Sequence, residues 1–167
     1  MKRLTRLFAI VCLAASLLAC AALSKVSTTP APVATVADTG GYNPSSDPAA
    51  ELQQTIRMAQ QENKRILIQV GGEWCVWCHI MDRFYDSHPD LLKLREAHYI
   101  LLKVNYSQEN GNQAFLSQYP TIPGFPHIFI LESDGTLLHS QNTSELEEGE
   151  TYNLGRFTAF LERWAKQ

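Results

Sequence analysis

The chain has 167 residues, 45% of them hydrophobic, which is enough for one domain with a substantial apolar core. It contains only four cysteines and nine glycines, so its composition is neither disulfide-dense nor collagen-like. A formal net charge of −3 gives no electrostatic reason to expect a nucleic-acid partner. The starting expectation is therefore one folded domain with additional segments.

The first segment has the pattern of an export signal. Residues 1–6 are basic, and residues 7–19 are apolar but too few to cross a bilayer comfortably, which is typical of a secretory signal peptide. The Leu-Leu-Ala-Cys sequence ending at Cys20 resembles the lipobox of bacterial lipoproteins, in which the signal is removed before a cysteine that receives lipid. We therefore expect a lipoprotein-type signal peptide over residues 1–19 and lipidation of Cys20. Ordinary signal-peptidase cleavage at the alanines that follow is the alternative.

The residue after Cys20 bears on the destination of an exported lipoprotein. It is an alanine and not an aspartate, which by resemblance to enterobacterial lipoproteins favours transfer to the outer membrane. The expected location is thus the periplasmic face of a bacterial membrane, with the outer membrane preferred.

The sequence after the signal predicts a tether followed by a folded domain. Residues 20–46 are rich in Ala, Ser, Thr and Pro, a composition that indicates a flexible linker. The domain is then expected over residues 47–167. Its first helix should begin with Asp47 as N-cap and Pro48 at the first helical position.

A strand, a turn and a cysteine pair form the centre of the predicted domain. Residues 66–70 read as a buried strand, two glycines permit a sharp turn, and Cys75 and Cys78 follow where a helix should begin. A cysteine in the first helical turn is held partly as thiolate by unpaired N–H groups and the helix dipole. Cys78 lies one turn deeper on the same face, so Cys75 is the expected nucleophile and Cys78 the resolving thiol.

The remaining elements are expected to alternate between helices and strands. Tyr99 to Asn105 should pair parallel to the first strand because a helical crossover joins the two. An Asp-Gly turn indicates a hairpin between the last two strands, and an acidic run over residues 142–150 reads as a solvated loop. The other expected elements are a helix break at His88-Pro89, a helical piece over residues 90–97, a short helix within 111–119, strands over 127–131 and 136–140, and a final helix over 153–165.

Three of these features together resemble the thioredoxin superfamily over about residues 47–166. They are Trp-Cys-x-x-Cys after a buried strand, a proline directly before a later strand, and the Asp-Gly hairpin behind that proline. The sequence Trp-Cys-Val-Trp-Cys at residues 74–78 looks most like the Trp-Cys-x-Trp-Cys branch of exported thioredoxin-like proteins. The resemblance implies an α/β fold with a central mixed sheet of about four strands flanked by helices.

The resemblance also implies roles for individual residues. Cys75 and Cys78 match the attacking and resolving cysteines, and Pro126 matches the cis-proline, whose bond would turn the Phe125 backbone toward a substrate chain. Trp74 matches a tryptophan that shields the site. Trp77 is expected either to contact partners or to pack in the domain. Substrate contact is therefore expected from Trp74, Trp77, Phe125 and Pro126.

One position departs from the family pattern. Classical thioredoxins have a buried aspartate six residues before the first cysteine, where it moves the proton of the resolving thiol, and here that position is Gln69. An amide cannot act as a base at neutral pH. Glu73 could substitute, although it is expected to lie at the turn in water. The acceptor for the Cys78 proton is therefore open at this level.

Two other classes of protein fit parts of the motif. The sequence Cys-Val-Trp-Cys-His at residues 75–79 also matches the attachment pattern of c-type haem. Alternatively, Cys75, Cys78 and His79 could bind copper or zinc, with His127 as a further ligand. His79 otherwise reads as a surface histidine that would favour a nearby thiolate when protonated.

The favoured interpretation is a lipid-anchored thiol-disulfide oxidoreductase of the cell envelope, with reduction as the expected direction. It requires no cofactor and no metal. Its expected partners are disulfide-containing envelope proteins and a membrane or periplasmic redox protein that resets the cysteine pair.

Overall fold

The computed structural model describes residues 41–166. The predicted signal peptide, Cys20 and most of the predicted tether lie outside the described residues. The elements follow in the order α1 (Pro48–Glu62), β1 (Arg65–Gly71), α2 (Val76–Ser87), α3 (Pro89–His98), β2 (Tyr99–Asn105), α4 (Gln113–Leu116), β3 (His127–Leu131), β4 (Leu137–Asn142), a 3₁₀ turn (Thr143–Leu146), β5 (Glu147–Glu148), β6 (Thr151–Tyr152) and α5 (Leu154–Arg163).

A four-stranded mixed sheet forms the centre of the domain, in the order β2-β1-β3-β4. β1 and β2 are parallel, as the helical crossover predicts, whereas β3 runs antiparallel to both β1 and β4. Ile66 to Val70 are all buried because β1 lies between two strands and is covered on both faces. The predicted thioredoxin-like α/β architecture is confirmed.

Each face of the sheet has its own apolar core. On one face, Leu67 and Ile130 pack with side chains of α2, α3 and α5, among them Met81 and Phe157. On the other face, Ile68 and Phe129 pack with side chains of α1 and α4. β1, a strand of seven residues, contributes alternate side chains to both cores. Packing on both faces therefore fixes the position of β1 and of the turn that follows it.

Local signals begin and end the helices as the sequence predicts. The Asp47 carboxylate accepts hydrogen bonds from the backbone N–H groups of Ala49 and Ala50, and Pro48 occupies the first helical position of α1. α2 begins directly after Cys75 and ends before His88, and Pro89 starts α3. Gly135 adopts a φ of +92° in the hairpin, a conformation that glycine adopts at little cost.

The structure corrects the expectation for the acidic run near the C-terminus. Thr143 and Leu146 are buried, and a 3₁₀ turn and two short strands replace the predicted solvated loop. The reason is that Leu146 and Tyr152 bury apolar surface against the α2–α5 core, while the glutamates between them remain outside. Leu154 is 45% exposed at the first turn of α5.

One side chain that precedes α1 packs into the domain. Tyr42 falls within the predicted tether of residues 20–46, yet its side chain is only 4% exposed and packs against Cys75 and Cys78. The amino-acid composition identifies the small polar residues around Tyr42, but it cannot predict that this one aromatic ring packs in the domain. Between residues 41 and 166, no helix is both long and apolar enough to cross a bilayer.

Candidate active site

Cys75 and Cys78 form a disulfide at the start of α2, with their Cα atoms 5.2 Å apart. Cys75 is the N-cap residue, and its sulfur accepts a hydrogen bond of 3.1 Å from the Cys78 backbone N–H. The same N–H can stabilise a Cys75 thiolate when the disulfide is open, in addition to the helix dipole. Local geometry therefore favours Cys75 as the more acidic of the two thiols.

The surroundings of the two sulfurs differ in exposure. Cys78 is completely buried and Cys75 is 3% exposed, but Cys75 is flanked by Trp74 and Val76, which are 55% and 68% exposed. A partner can approach along these exposed neighbours and meet Cys75 first. Tyr42, Trp77 and Phe125 close the remaining sides of the pair.

The loop before β3 carries the predicted cis-proline. The Phe125–Pro126 peptide bond is cis, as the resemblance implies. The Thr143 hydroxyl donates a hydrogen bond to the Pro126 carbonyl, so the 3₁₀ turn that the sequence did not predict holds this loop from behind. The Phe125 ring contacts the cysteine pair and stacks on Tyr106 with a centroid distance of 4.6 Å.

The two tryptophans of the motif have different environments. The Trp74 indole N–H donates a hydrogen bond of 2.6 Å to the Tyr106 carbonyl, and its ring meets Phe125 edge to face at 5.6 Å. It is not an ordinary core residue, because more than half of it is exposed. Trp77 is half-buried and packs edge to face on Tyr152 at 5.5 Å. The packing alternative that the sequence left open for Trp77 is thus the observed one.

A cleft of about 880 Å³ opens on the outer side of Trp74. Tyr106 lines this cleft and also backs Phe125, although sequence analysis did not single it out. Its place directly after β2 at the same sheet edge as Cys75 is the signal that could have identified it, since the carboxyl ends of parallel strands lie together.

The position that departs from the thioredoxin pattern is buried and hydrogen-bonded. Gln69 is 1% exposed, and its Nε2 donates a hydrogen bond of 2.8 Å to the Tyr42 hydroxyl. Its neighbour across the parallel strands is Lys103, which forms an ion pair of 3.0 Å with Asp82, one turn beyond Cys78 on α2. Sequence analysis missed this pair because its partners are 21 positions apart.

Glu73 and His79 lie near the turn before α2. Glu73 is exposed at the turn, as expected, but one of its carboxylate oxygens accepts a hydrogen bond of 2.7 Å from the Tyr42 backbone N–H. His79 contacts the Glu73 carbonyl oxygen through Nε2 at 2.8 Å. Neither side chain has a described hydrogen bond to a cysteine sulfur.

His127 lies in the core directly after the cis-proline. It is 1% exposed, and burial lowers its pKa to about 4, so the ring is neutral at physiological pH. Its Nε2 contacts the Ser140 hydroxyl at 2.8 Å. This contact differs from the role of metal ligand that the alternative interpretation gave to His127. Among the residues that the structure describes, no three His, Cys, Asp or Glu side chains group closely enough to hold a metal ion.

Two curated proteins are similar to part of this chain. The thiol:disulfide interchange protein DsbD of Pseudomonas fluorescens is 29% identical over 119 residues, which cover 70% of this chain and 18% of that protein. The disulfide bond reductase DsbH of Chlamydia pneumoniae is 26% identical over 104 residues, covering 54% of this chain and 62% of that protein. The chain thus spans about a fifth of the length of the DsbD relative.

Solved structures and a family model agree on the fold. A disulphide isomerase from Xylella fastidiosa Temecula1 superposes with a TM-score of 0.63 at 18% identity, covering 73% of this chain and 94% of that one. The oxidised C-terminal domain of Neisseria meningitidis DsbD gives a TM-score of 0.53 at 18% identity, covering 71% and 97%. The family model described as Thioredoxin-like matches residues 47–133, which is just over half of the chain. This chain therefore belongs to the thioredoxin-like family.

Proposed function

We propose that this protein is a thiol-disulfide oxidoreductase that exchanges disulfides through Cys75 and Cys78. The observation that carries the proposal is the position of this pair, which begins α2 beside a cis-proline and places Cys75, itself 3% exposed, between two exposed residues. The names of the DsbD and DsbH relatives, an interchange protein and a disulfide bond reductase, support the same chemistry.

The reaction proceeds in two displacement steps. The Cys75 thiolate attacks one sulfur of a substrate disulfide, forming a mixed disulfide and releasing the other substrate sulfur as a thiolate. The Cys78 thiolate then attacks the Cys75 sulfur, which forms the intramolecular disulfide and releases the second substrate thiolate. Two electrons pass to the substrate, and the protons lost by the two cysteines reach its sulfurs through solvent. A redox partner reverses the process on this protein.

The substrate is expected to bind along the cis-proline loop. Its backbone can pair with that of Phe125, as an added strand does at a sheet edge, while its disulfide meets Cys75. Trp74 offers an exposed aromatic face next to the sulfur, and Pro126 keeps the loop in position. Trp77 contributes from behind through packing. Substrates of this class are disulfide-containing proteins of the cell envelope.

Reduction of substrates is the proposed direction of electron flow. The DsbH relative is named a reductase, which supports this direction. The pair would then need a membrane or periplasmic partner that supplies electrons.

The net charge of −3 gives no electrostatic reason to propose a nucleic-acid partner.

The proposed location is the periplasmic face of a bacterial membrane, with the chain anchored through lipid on Cys20. The support is the basic and apolar start of the sequence and the lipobox-like residues before Cys20. Metabolic labelling with a radioactive fatty acid should mark the protein, and Cys20→Ser should abolish the label. Label that persists in Cys20→Ser would contradict lipidation at this residue.

The proposed activity is tested by equilibrating the full chain in glutathione buffers and measuring the state of the pair by alkylation and mass. A reversible two-electron couple near about −270 mV indicates a reductase, and one near about −120 mV an oxidant. Cys75→Ser should abolish exchange, and Cys78→Ala should accumulate mixed disulfides with substrates. Thiols that remain blocked by metal, or a Soret band after expression with haem-maturation proteins, would instead favour the binding alternatives.

A further inference from the structure

A tyrosine from outside the predicted domain is fixed against the buried side of the cysteine pair. Tyr42 precedes α1, yet three groups from the domain hold it. Glu73 accepts a hydrogen bond of 2.7 Å from its backbone N–H, Gln69 donates one of 2.8 Å to its hydroxyl oxygen, and the Lys103 ammonium lies 5.5 Å from its ring centroid. The Asn110 side chain also donates to the Pro44 carbonyl, at 2.8 Å, and so fastens the chain just beyond Tyr42.

The direction of the Gln69 hydrogen bond determines what the Tyr42 hydroxyl can do. The amide N–H of Gln69 donates, so the Tyr42 oxygen accepts and its own hydrogen is left to be donated elsewhere. An aspartate at position 69, as in classical thioredoxins, could not donate in this way when ionised. Gln69 is therefore suited to orient a hydroxyl donor.

The Cys78 sulfur and the Tyr42 hydroxyl lie in the same part of the buried site. Tyr42 and Cys78 pack together in one buried cluster. Both also crowd the same side of Gly71, where an added Cβ would overlap the Cys78 sulfur and lie 2.7 Å from the Tyr42 hydroxyl oxygen. The absence of a side chain at Gly71 thus leaves the hydroxyl and the sulfur facing a shared space.

We propose that the Tyr42 hydroxyl, oriented by Gln69, donates a hydrogen bond to the Cys78 thiolate and thereby stabilises it during exchange. Burial raises the pKa of Tyr42 far above its ordinary value, so the hydroxyl keeps its proton and can donate it in a hydrogen bond to the sulfur. Cys75 has its own donor, the Cys78 backbone N–H, so the two sulfurs are stabilised by different groups.

This inference rests on the proposed exchange reaction and concerns its second step. In the mixed disulfide, Cys78 loses its proton to solvent, and its thiolate attacks the Cys75 sulfur. The Cys75–Cys78 bond forms, the bond between Cys75 and the substrate sulfur breaks, and the substrate leaves as a thiolate. Tyr42 keeps its own proton throughout, so it lowers the energy of the attacking thiolate without entering the proton balance.

The charged groups around this site make a neutral donor useful. The Asp82 carboxylate disfavours a thiolate nearby, and the Lys103 ammonium that pairs with it offsets much of that effect. The titratable and charged groups that act on Tyr42 from the turn, α2, β2 and β6 are Glu73, Asp82, Lys103 and Tyr152.

The test separates the two displacement steps. The reduced full chain, with Cys12 and Cys20 replaced by Ser so that only the pair carries thiols, is mixed rapidly with one equivalent of dithiobis-nitrobenzoate. The first nitrothiobenzoate is released when Cys75 attacks, and the second when Cys78 resolves the mixed disulfide. Both phases are followed by absorbance across a pH series.

Tyr42→Phe removes only the hydroxyl. We expect the first phase to remain within about twofold of the parent, and the second to slow about tenfold at pH 7, as for loss of one hydrogen bond to a charged group. The pH at which the second phase is half-maximal should rise by about one unit. Tyr99→Phe is the matched control, because it also deletes a buried, hydrogen-bonded hydroxyl, donated at 2.7 Å to the Leu161 carbonyl.

Four results would contradict the inference or its basis in different ways. An unchanged second phase and pH midpoint in Tyr42→Phe overturn the role of Tyr42. Equal slowing of both phases together with a lowered melting temperature, or the same slowing in Tyr99→Phe, also overturns it, because the effect would be structural. Failure of the parent protein to release any nitrothiobenzoate would overturn the proposed exchange activity itself.

Discussion

Gly71 and Cys78 are so close that a methyl group on Gly71 would overlap the Cys78 sulfur. Gly71→Ala should therefore push the sulfur, the Tyr42 ring or both out of place, at a cost of about 1–3 kcal/mol for overpacking. Urea unfolding of the oxidised protein measures the loss. Gly111→Ala is the control, since an added Cβ there meets its nearest neighbours at an ordinary 3.7 Å. Equal stability of both variants would contradict the crowding at Gly71.

The two tryptophans of the motif should separate activity from stability. Trp74→Ala removes an exposed ring and one hydrogen bond, so we expect a stability loss below about 1.5 kcal/mol but a clear rise in KM for a protein disulfide. Trp77→Ala removes a half-buried ring that packs on Tyr152 and should cost about 2–3 kcal/mol. Thermal melting and steady-state reduction of a protein substrate give the comparison. The reverse ranking of the two stability losses would contradict the environments described for the rings.

The Asp82–Lys103 ion pair should contribute to stability because the Lys103 side chain is only 10% exposed. Asp82→Asn leaves the ammonium without its carboxylate and should cost about 1–3 kcal/mol, reduced from the fully buried case because Asp82 is 30% exposed. Urea unfolding at low and high salt measures it. Asp90→Asn, which removes the exposed Asp90–Lys93 pair, should have no measurable effect. A loss of the same size at both positions would contradict this ranking.

His127 should make the folded state sensitive to acid. Burial holds its pKa near 4 in the folded protein against about 6.5 when unfolded, so the unfolded chain binds more protons between these values. The stability due to the neutral ring is complete above pH 6.5 and is lost as the pH falls toward 4, by up to about 3 kcal/mol. His127→Gln should flatten unfolding free energy against pH in this window.

The control variant is His79→Gln, which replaces a histidine whose side chain is 41% exposed. Unfolding by urea at half-unit pH steps provides the measurement. If the pH dependence of the unfolding free energy survived in His127→Gln but disappeared in His79→Gln, the acid sensitivity would belong to His79 and the prediction for His127 would be contradicted.

The sequence alone determined the elements that depend on local chemistry. Asp47 and Pro48 predict the start of α1, Pro89 predicts the break between α2 and α3, and Asp134-Gly135 predicts the hairpin, since caps and turns use neighbouring residues. The cysteine pair at a helix start is local too, and it is the strongest indication of function. The family resemblance added the cis bond at Pro126.

Only the tertiary structure decided which distant groups surround that pair. Tyr42 comes from a stretch of small polar residues, Lys103 from a separate strand, and Thr143 from a run that reads as an acidic loop, yet they reach Gln69, Asp82 and Pro126. Long-range partners leave no periodic trace in the sequence, because a buried polar group needs one partner at one distance and any part of the chain can supply it. Gln69 indicated from the sequence that the buried site departs from the thioredoxin pattern. The tertiary structure showed that the Tyr42 hydroxyl is its partner.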